Sequence, residues 1–186
     1  MNYLLYFCKV IKNKKMNKVS KLFNIMRPIQ VNLDIDFGGT INAGGCAVFA
    51  YLLAQKLEQN KIPFKWVIYY SGWQSKIQSF SDLYHLLQTN SSNPSNVEDC
   101  IAVHVAIKVG NFVIDGKETL SERSSFNKWK TAWRAVKYEF VAPSELFTAT
   151  VFNSNWNDIY YDYTERRNVL KIQRTLDQYF KYFITL

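Results

Sequence analysis

The sequence predicts an α+β fold, and three observations carry that reading. A segment free of Gly and Pro, Cys46 to Gln59, repeats apolar residues at helical spacing. Several β-branched and aromatic runs follow it, and a long amphipathic segment closes the chain. One helix, then mainly strands, then a closing helix is an α+β order. The 186 residues suit a single hydrophobic core, and 48% apolar with 16% aromatic residues exclude a chain disordered throughout.

Taken in order, residues 1–27 read as a basic arm without turns or periodicity, and 28–186 as the folded domain. Pro28, Gly38-Gly39 and Gly44-Gly45 make 28–45 a loop, with one short strand at Gln30–Ile35. From 46 to 59, Val48, Phe49, Leu52, Leu53 and Leu57 form one helical face, which Asn60 and Pro63 end. Phe64–Tyr70 is β-branched and aromatic, hence a strand. Ser81 caps a short helix to Leu87, and the polar stretch 89–96 is a surface loop. Ile101–Lys108 and Asn111–Asp115 flank Val109-Gly110 as a hairpin. Residues 122–134, with Trp129 and Trp133, fit either a helix or a long loop. Val136–Val141 is a further strand, and Pro143-Ser144-Glu145 starts a short helical turn. Thr164–Phe183 is the closing helix: Thr164 caps it, and Val169, Ile172, Leu176, Phe180 and Phe183 form its buried stripe. Arg166, Arg167, Lys171, Arg174 and Lys181 take its solvated face.

The net charge of +8 is unevenly placed. Seven basic residues (Lys9, Lys12, Lys14, Lys15, Lys18, Lys21, Arg27) precede the first acid, Asp34; the rest carries 16 basic and 15 acidic residues, a net of +1. Nucleic-acid binding by the body is therefore disfavoured. Residues 1–27 remain a candidate for docking on an acidic protein or nucleic-acid surface. No run approaches the ~18 apolar residues that cross a bilayer, so no membrane partner is expected. The apolar start Tyr3–Cys8 is followed, not preceded, by positive charge, the wrong order for a secretory signal. Cys8, Cys46 and Cys100 cannot all pair, which points to a reducing, cytoplasmic compartment and a free thiol. Richness in Asn, Lys, Ile, Tyr and Phe fits an AT-rich bacterial or viral genome.

The chemistry concentrates in few residues. Asn42-Ala43-Gly44-Gly45-Cys46 opens the first helix, where the helix N-terminus favours a thiolate and glycines let a carbonyl approach. The Cys46 amide then faces a developing oxyanion. A cysteine nucleophile needs a base, and the base needs an orienting acceptor. Of two histidines, His85 sits in a helical pattern, Leu83-Tyr84-His85-Leu86-Leu87, while His104 is on a strand. A turn at Val109-Gly110 sets His104 opposite Asp115; a turn at Gly110-Asn111 makes them diagonal neighbours. Either register keeps both on one face.

Asn42–Leu53 followed by the His104–Asp115 hairpin resembles the papain-like, or transglutaminase-like, cysteine fold. The order Cys, His, acid and the separations of 58 and 11 residues are most similar to compact members, such as bacterial cell-wall endopeptidases and related bacteriophage proteins. The resemblance implies a nucleophile helix packed on a small antiparallel sheet with a closing C-terminal helix. It implies Cys46, His104 and Asp115 as a catalytic trio, a protein or peptide substrate, and no metal or organic cofactor. Papain has a Gln where this chain has Thr40, so Asn42 is the substitute oxyanion candidate beside Gly45. The Asp that directly precedes the cysteine of cell-wall enzymes is Gly45 here, and the arginine-containing signature of arylamine acetyltransferases is missing.

Other readings are weaker. Asp99-Cys100 with His104 lacks the further Cys or His that tight structural zinc requires. Cys100 shares strand parity with His104 but opens no helix. No Gly-Lys-Ser/Thr follows the glycine pairs, which excludes a phosphate loop. Trp156, set among Asn153, Ser154, Asn155 and Asn157, is the aromatic most suited to border a site. The expected function is a cysteine hydrolase or acyltransferase acting on an amide, isopeptide or thioester. The alternative is an inactive module of the same fold, a component of a phage particle docked through its basic arm.

Overall fold

The computed structural model describes residues 18–42, 45–72, 100–133, 137–141 and 165–183. Among these, four helices and five strands follow in the order α1 (Lys18–Asp36), α2 (Cys46–Gln59), β1 (Lys65–Gly72), β2 (Cys100–Val109), β3 (Phe112–Ile114), β4 (Thr119–Ser121), α3 (Glu122–Trp133), β5 (Lys137–Val141) and α4 (Arg166–Phe183). The architecture is α+β, and every strand pairing is antiparallel, in the spatial order β4-β3-β2-β1-β5.

Alternation along the strands divides the core in two. Trp66, Ile68, Val105, Ile107, Val109 and Ile114 pack against α1, α2 and α4. Val67, Tyr69, Ala106 and Val113 meet Trp129 and Phe126 of α3 on the other face. The closing helix buries Ile172, Leu176, Phe180 and Phe183, half-buries Val169, and exposes its five basic residues. Lys171 also reaches Asp36, with Nζ 3.2 Å from Oδ1 and 3.0 Å from the main-chain oxygen.

The largest correction concerns α1. The expected arm boundary after residue 27, the first part of the 28–45 loop and the strand at Gln30–Ile35 are replaced by one 19-residue helix with Pro28 inside it, while 37–42 form turns. An interior proline removes a donor and crowds the carbonyl four residues back, costing ~3 kcal/mol. Against this, Leu22, Met26, Ile29 and Leu33 are completely buried on one stripe, each contributing roughly 1.5–3 kcal/mol. Tertiary burial therefore outweighs the local penalty. Lys18, Lys21 and Arg27 belong to this helix; the other four basic residues of the expected arm lie outside the described residues.

Residues 122–133 form a helix, closing the choice that the sequence left open, and Thr119–Ser121 is a strand the sequence did not suggest. The hairpin takes the Gly110-Asn111 turn, pairing Val109 with Phe112 and Ile107 with Ile114. Gly110 sits at φ +58°, a conformation that favours glycine. The expected helix at 81–87, the loop at 89–96 and the turn at 143–145 lie outside the described residues. Among the described residues, no helix is long and apolar enough to cross a membrane.

Candidate active site

Cys46 is the first residue of α2, and Gly45 is its N-cap at φ −86°, with no side-chain cap. A helix start leaves its first amides without intrahelical acceptors. Here the first main-chain bond of the turn runs from the Phe49 N–H to the Gly45 carbonyl at 2.9 Å. Cys46 carries a free thiol, 2% exposed.

His104 lies on β2 opposite Tyr69, directly beside an irregularity: Tyr69 pairs with His104 but Tyr70 pairs with Ala102, which leaves Val103 as an extra residue. Such a bulge increases local twist and re-aims neighbouring side chains. It also breaks the parity expected between Cys100 and His104, because Cys100 is registered with Gly72, three positions from Tyr69.

Asp115 follows β3 immediately. Its Oδ2 lies 3.2 Å from His104 Nε2, and its Oδ1 accepts the main-chain N–H groups of Lys117 and Glu118, each at 2.8 Å. The carboxylate is thus held on both oxygens. Asp115 N–H donates to the Glu118 carbonyl at 3.0 Å, so the four-residue loop closes on its own first residue.

With Nε2 engaged by Asp115, His104 Nδ1 is left without a full hydrogen-bond partner, and the imidazole is also in contact with Cys46. Burial by itself disfavours the imidazolium. The hydrogen bond to Asp115 and the contact and charge of Cys46 outweigh burial and raise the His104 pKa to about 9. Burial also disfavours the Asp115 carboxylate, yet His104, the Asn42 side chain and the Lys117 N–H hold it well below its usual 3.8. The structure therefore brings Cys46, His104 and Asp115 into one buried cluster.

The other expected residues fall differently. Gly45 is buried at the helix start. The Asn42 carboxamide lies close enough to act on the Asp115 carboxylate but makes no hydrogen bond of full geometry. It stands on the acid side of the cluster, beside Asp115 and Gly116. Trp156 and His85 lie outside the described residues, as do Ala43 and Gly44. Thr40, six residues before Cys46, turns its hydroxyl back to the Phe37 carbonyl at 2.7 Å. Among the described residues, no group of three or more His, Cys, Asp or Glu could hold a metal ion.

Sequence reasoning passed over the aromatic wall. The Trp129 ring lies 3.7 Å from His104, centroid to centroid, at 18°, and Tyr69 lies on a ring pair 6.0 Å away. Tyr69 Oη in turn bonds the buried Ser125 Oγ at 2.8 Å. A face-on indole favours a cationic imidazole. Trp129 was visible in the sequence only as one aromatic among many. Gly116 was missed as well: a Cβ there would come within 2.7 Å of Ile41 Cγ1, so the acid loop and the segment before Cys46 touch without room for a side chain.

Comparison of the chain with protein-family models, curated proteins and solved structures returns no match.

Proposed function

We propose that this chain is a papain-like cysteine hydrolase or acyltransferase in which Cys46 attacks an amide, isopeptide or thioester carbonyl of a protein or peptide. The observation that carries the reading is the buried imidazole bonded to Asp115 through Nε2 and in contact with the Cys46 side chain. Sulfur adds to the carbonyl carbon as the thiolate, the nucleophilic form. The tetrahedral oxyanion faces the free amides of the first turn of α2. His104 gives its proton to the departing amine or thiol as the carbon–nitrogen or carbon–sulfur bond breaks, leaving an acyl group on Cys46. His104 then takes a proton from water, or from an acceptor amine, which attacks the thioester and restores the thiolate. Asp115 keeps the imidazole oriented and stabilises its cationic form whenever His104 carries the proton. No step draws on a metal or organic cofactor. The low dielectric of a cluster this buried strengthens each of these interactions.

A second reading has its own observation. Cys46 is 2% exposed and His104 fully buried, which favours an inactive module of the same fold, with docking as its work. Its expected setting, a reducing cytoplasm or a phage particle, is shared with the first reading.

Site-resolved alkylation separates the two. Iodoacetamide reacting with Cys46, followed by mass spectrometry from pH 5 to 9, is expected to stay fast at pH 6. In His104→Ala it should fall about 100-fold there, as for a thiol of pKa near ~8.5. A slow wild-type reaction that His104→Ala leaves unchanged rejects the enzyme and favours the inactive module.

A further inference from the structure

We propose that Gln30 is a positioning residue for the reactive cluster: its carboxamide, in the middle of α1, tethers the loop that presents Asp115. This rests on the cysteine-hydrolase reading above and names a residue that acts through Asp115 without touching substrate.

Gln30 is 6% exposed, on the same helix as the apolar stripe that anchors α1. Its Nε2 donates to the Asp115 main-chain carbonyl at 2.9 Å and to Thr119 Oγ1 at 3.1 Å. Both protons of one nitrogen are thereby used, one at each end of the acid loop. A polar side chain buried this deeply on an apolar helix face is costly unless hydrogen-bonded, and here both bonds go to this loop.

The loop holds its own shape, because Asp115 accepts from Lys117 and Glu118 and donates to Glu118. What those local bonds do not set is where the loop stands relative to the helices. Gly116 against Ile41, and Gln30, do so from the buried side. Two ion pairs, Lys128 of α3 with Glu118 and Lys117 with Asp34 at 3.7 Å, are partly exposed and contribute little. The 3.2 Å contact from Asp115 to His104 is long for a charge-assisted bond, so a small displacement of the loop weakens it first.

The test is the pH profile of Cys46 alkylation by iodoacetamide in the full chain, with thermal melting to show that each variant is folded. Gln30→Met keeps length and burial but loses both donors. It is expected to react about tenfold more slowly at pH 6, with the rise of the profile shifted toward that of an ordinary thiol. Gln30→Glu, protonated in this buried position at low pH, retains one O–H donor. It should fall between Met and wild type at pH 6, and lose that advantage as it ionises.

Folded variants with a wild-type profile overturn the proposal, and so does a uniform loss at all pH values without a shift. Should Gln30→Met not fold, Thr119→Val decides: a smaller shift in the same direction supports the tether, and an unshifted profile overturns it. Wild-type Cys46 reacting as an ordinary thiol rejects the hydrolase reading itself. An activated wild-type thiol with unshifted variants rejects only the role of Gln30.

Discussion

The two faces of the sheet are built from different chemistry. Toward α1, α2 and α4 the side chains are almost entirely aliphatic and aromatic hydrocarbon, with Leu22, Ile29, Leu33, Phe49 and Leu53 at zero exposure. Toward α3 the apolar cluster is small, and beside it sit buried His104, Asp115 and Ser125 with the Tyr69 hydroxyl. Hydrocarbon burial supplies most of the stability of a fold. Buried polar groups instead demand fixed partners and hold particular atoms in place. The division teaches that the helical face secures the scaffold, while the α3 face and the start of α2 carry the buried polar side chains and the Cys46 thiol. Cys46 stands at the junction, packed in the hydrocarbon layer yet in contact with His104.

Perturbing one face at a time should break or sharpen this contrast. The largest effect is expected from Leu53→Ala in the hydrocarbon layer, a loss of about 2–5 kcal/mol in stability. Chemical denaturation measures it, and Cys46 alkylation in the folded protein should stay unchanged. A shifted alkylation profile would mean that the two faces are not separable.

Gly116→Ala comes next. Its Cβ would press on Ile41, and Ile41 Cγ1 lies near its own backbone with little freedom to yield. A loss of about 1–3 kcal/mol is expected, here together with slower alkylation, because the strained contact joins the acid loop to the segment before Cys46.

Asp115→Asn removes the charge and keeps the size. Without the carboxylate the His104 pKa falls, and once it lies below the working pH each further unit costs about tenfold in the protonated fraction. Alkylation of Cys46 at pH 7 should slow by about tenfold while the hydrocarbon face, read by tryptophan-independent far-ultraviolet signals, is unaltered.

The smallest effect is the pH dependence of stability. His104 is raised from 6.5 to about 9, so its contribution is complete below 6.5 and lost as pH rises through about 9. Asp115 is depressed, so its contribution is present above its usual 3.8 and lost as the solution is acidified below that value. Thermal midpoints should therefore plateau between about pH 4 and 6.5. They should decline on both sides, and a His104→Ala/Asp115→Asn variant should lack both declines.

Much of this was legible without coordinates, for local reasons. Cys46–Gln59 forms the expected helix because nothing in it breaks a 3.6-residue period, and α4 buries the stripe from Ile172 to Phe183 for the same reason. His104 and Asp115 share a face because a two-residue turn permits only registers differing by two, which preserve parity. The α1 helix was not legible because Pro28 and the lysines before it locally resemble an arm and a loop. Its stripe becomes decisive only when α2 and α4 are there to cover it. Trp129 and Gln30 were hidden for a related reason: each acts through a residue far along the chain, His104 and Asp115 respectively.

Sequence alone thus determined which segments are helix or strand where one period dominates, and which carboxylate faces which imidazole across a short turn. Both are set by steric rules that operate within a few residues. Tertiary structure decided that α1 runs through its proline, that β5 pairs with β1, and that Cys46 meets His104. Those outcomes depend on burying surface between segments distant in sequence, an energy that no local pattern contains.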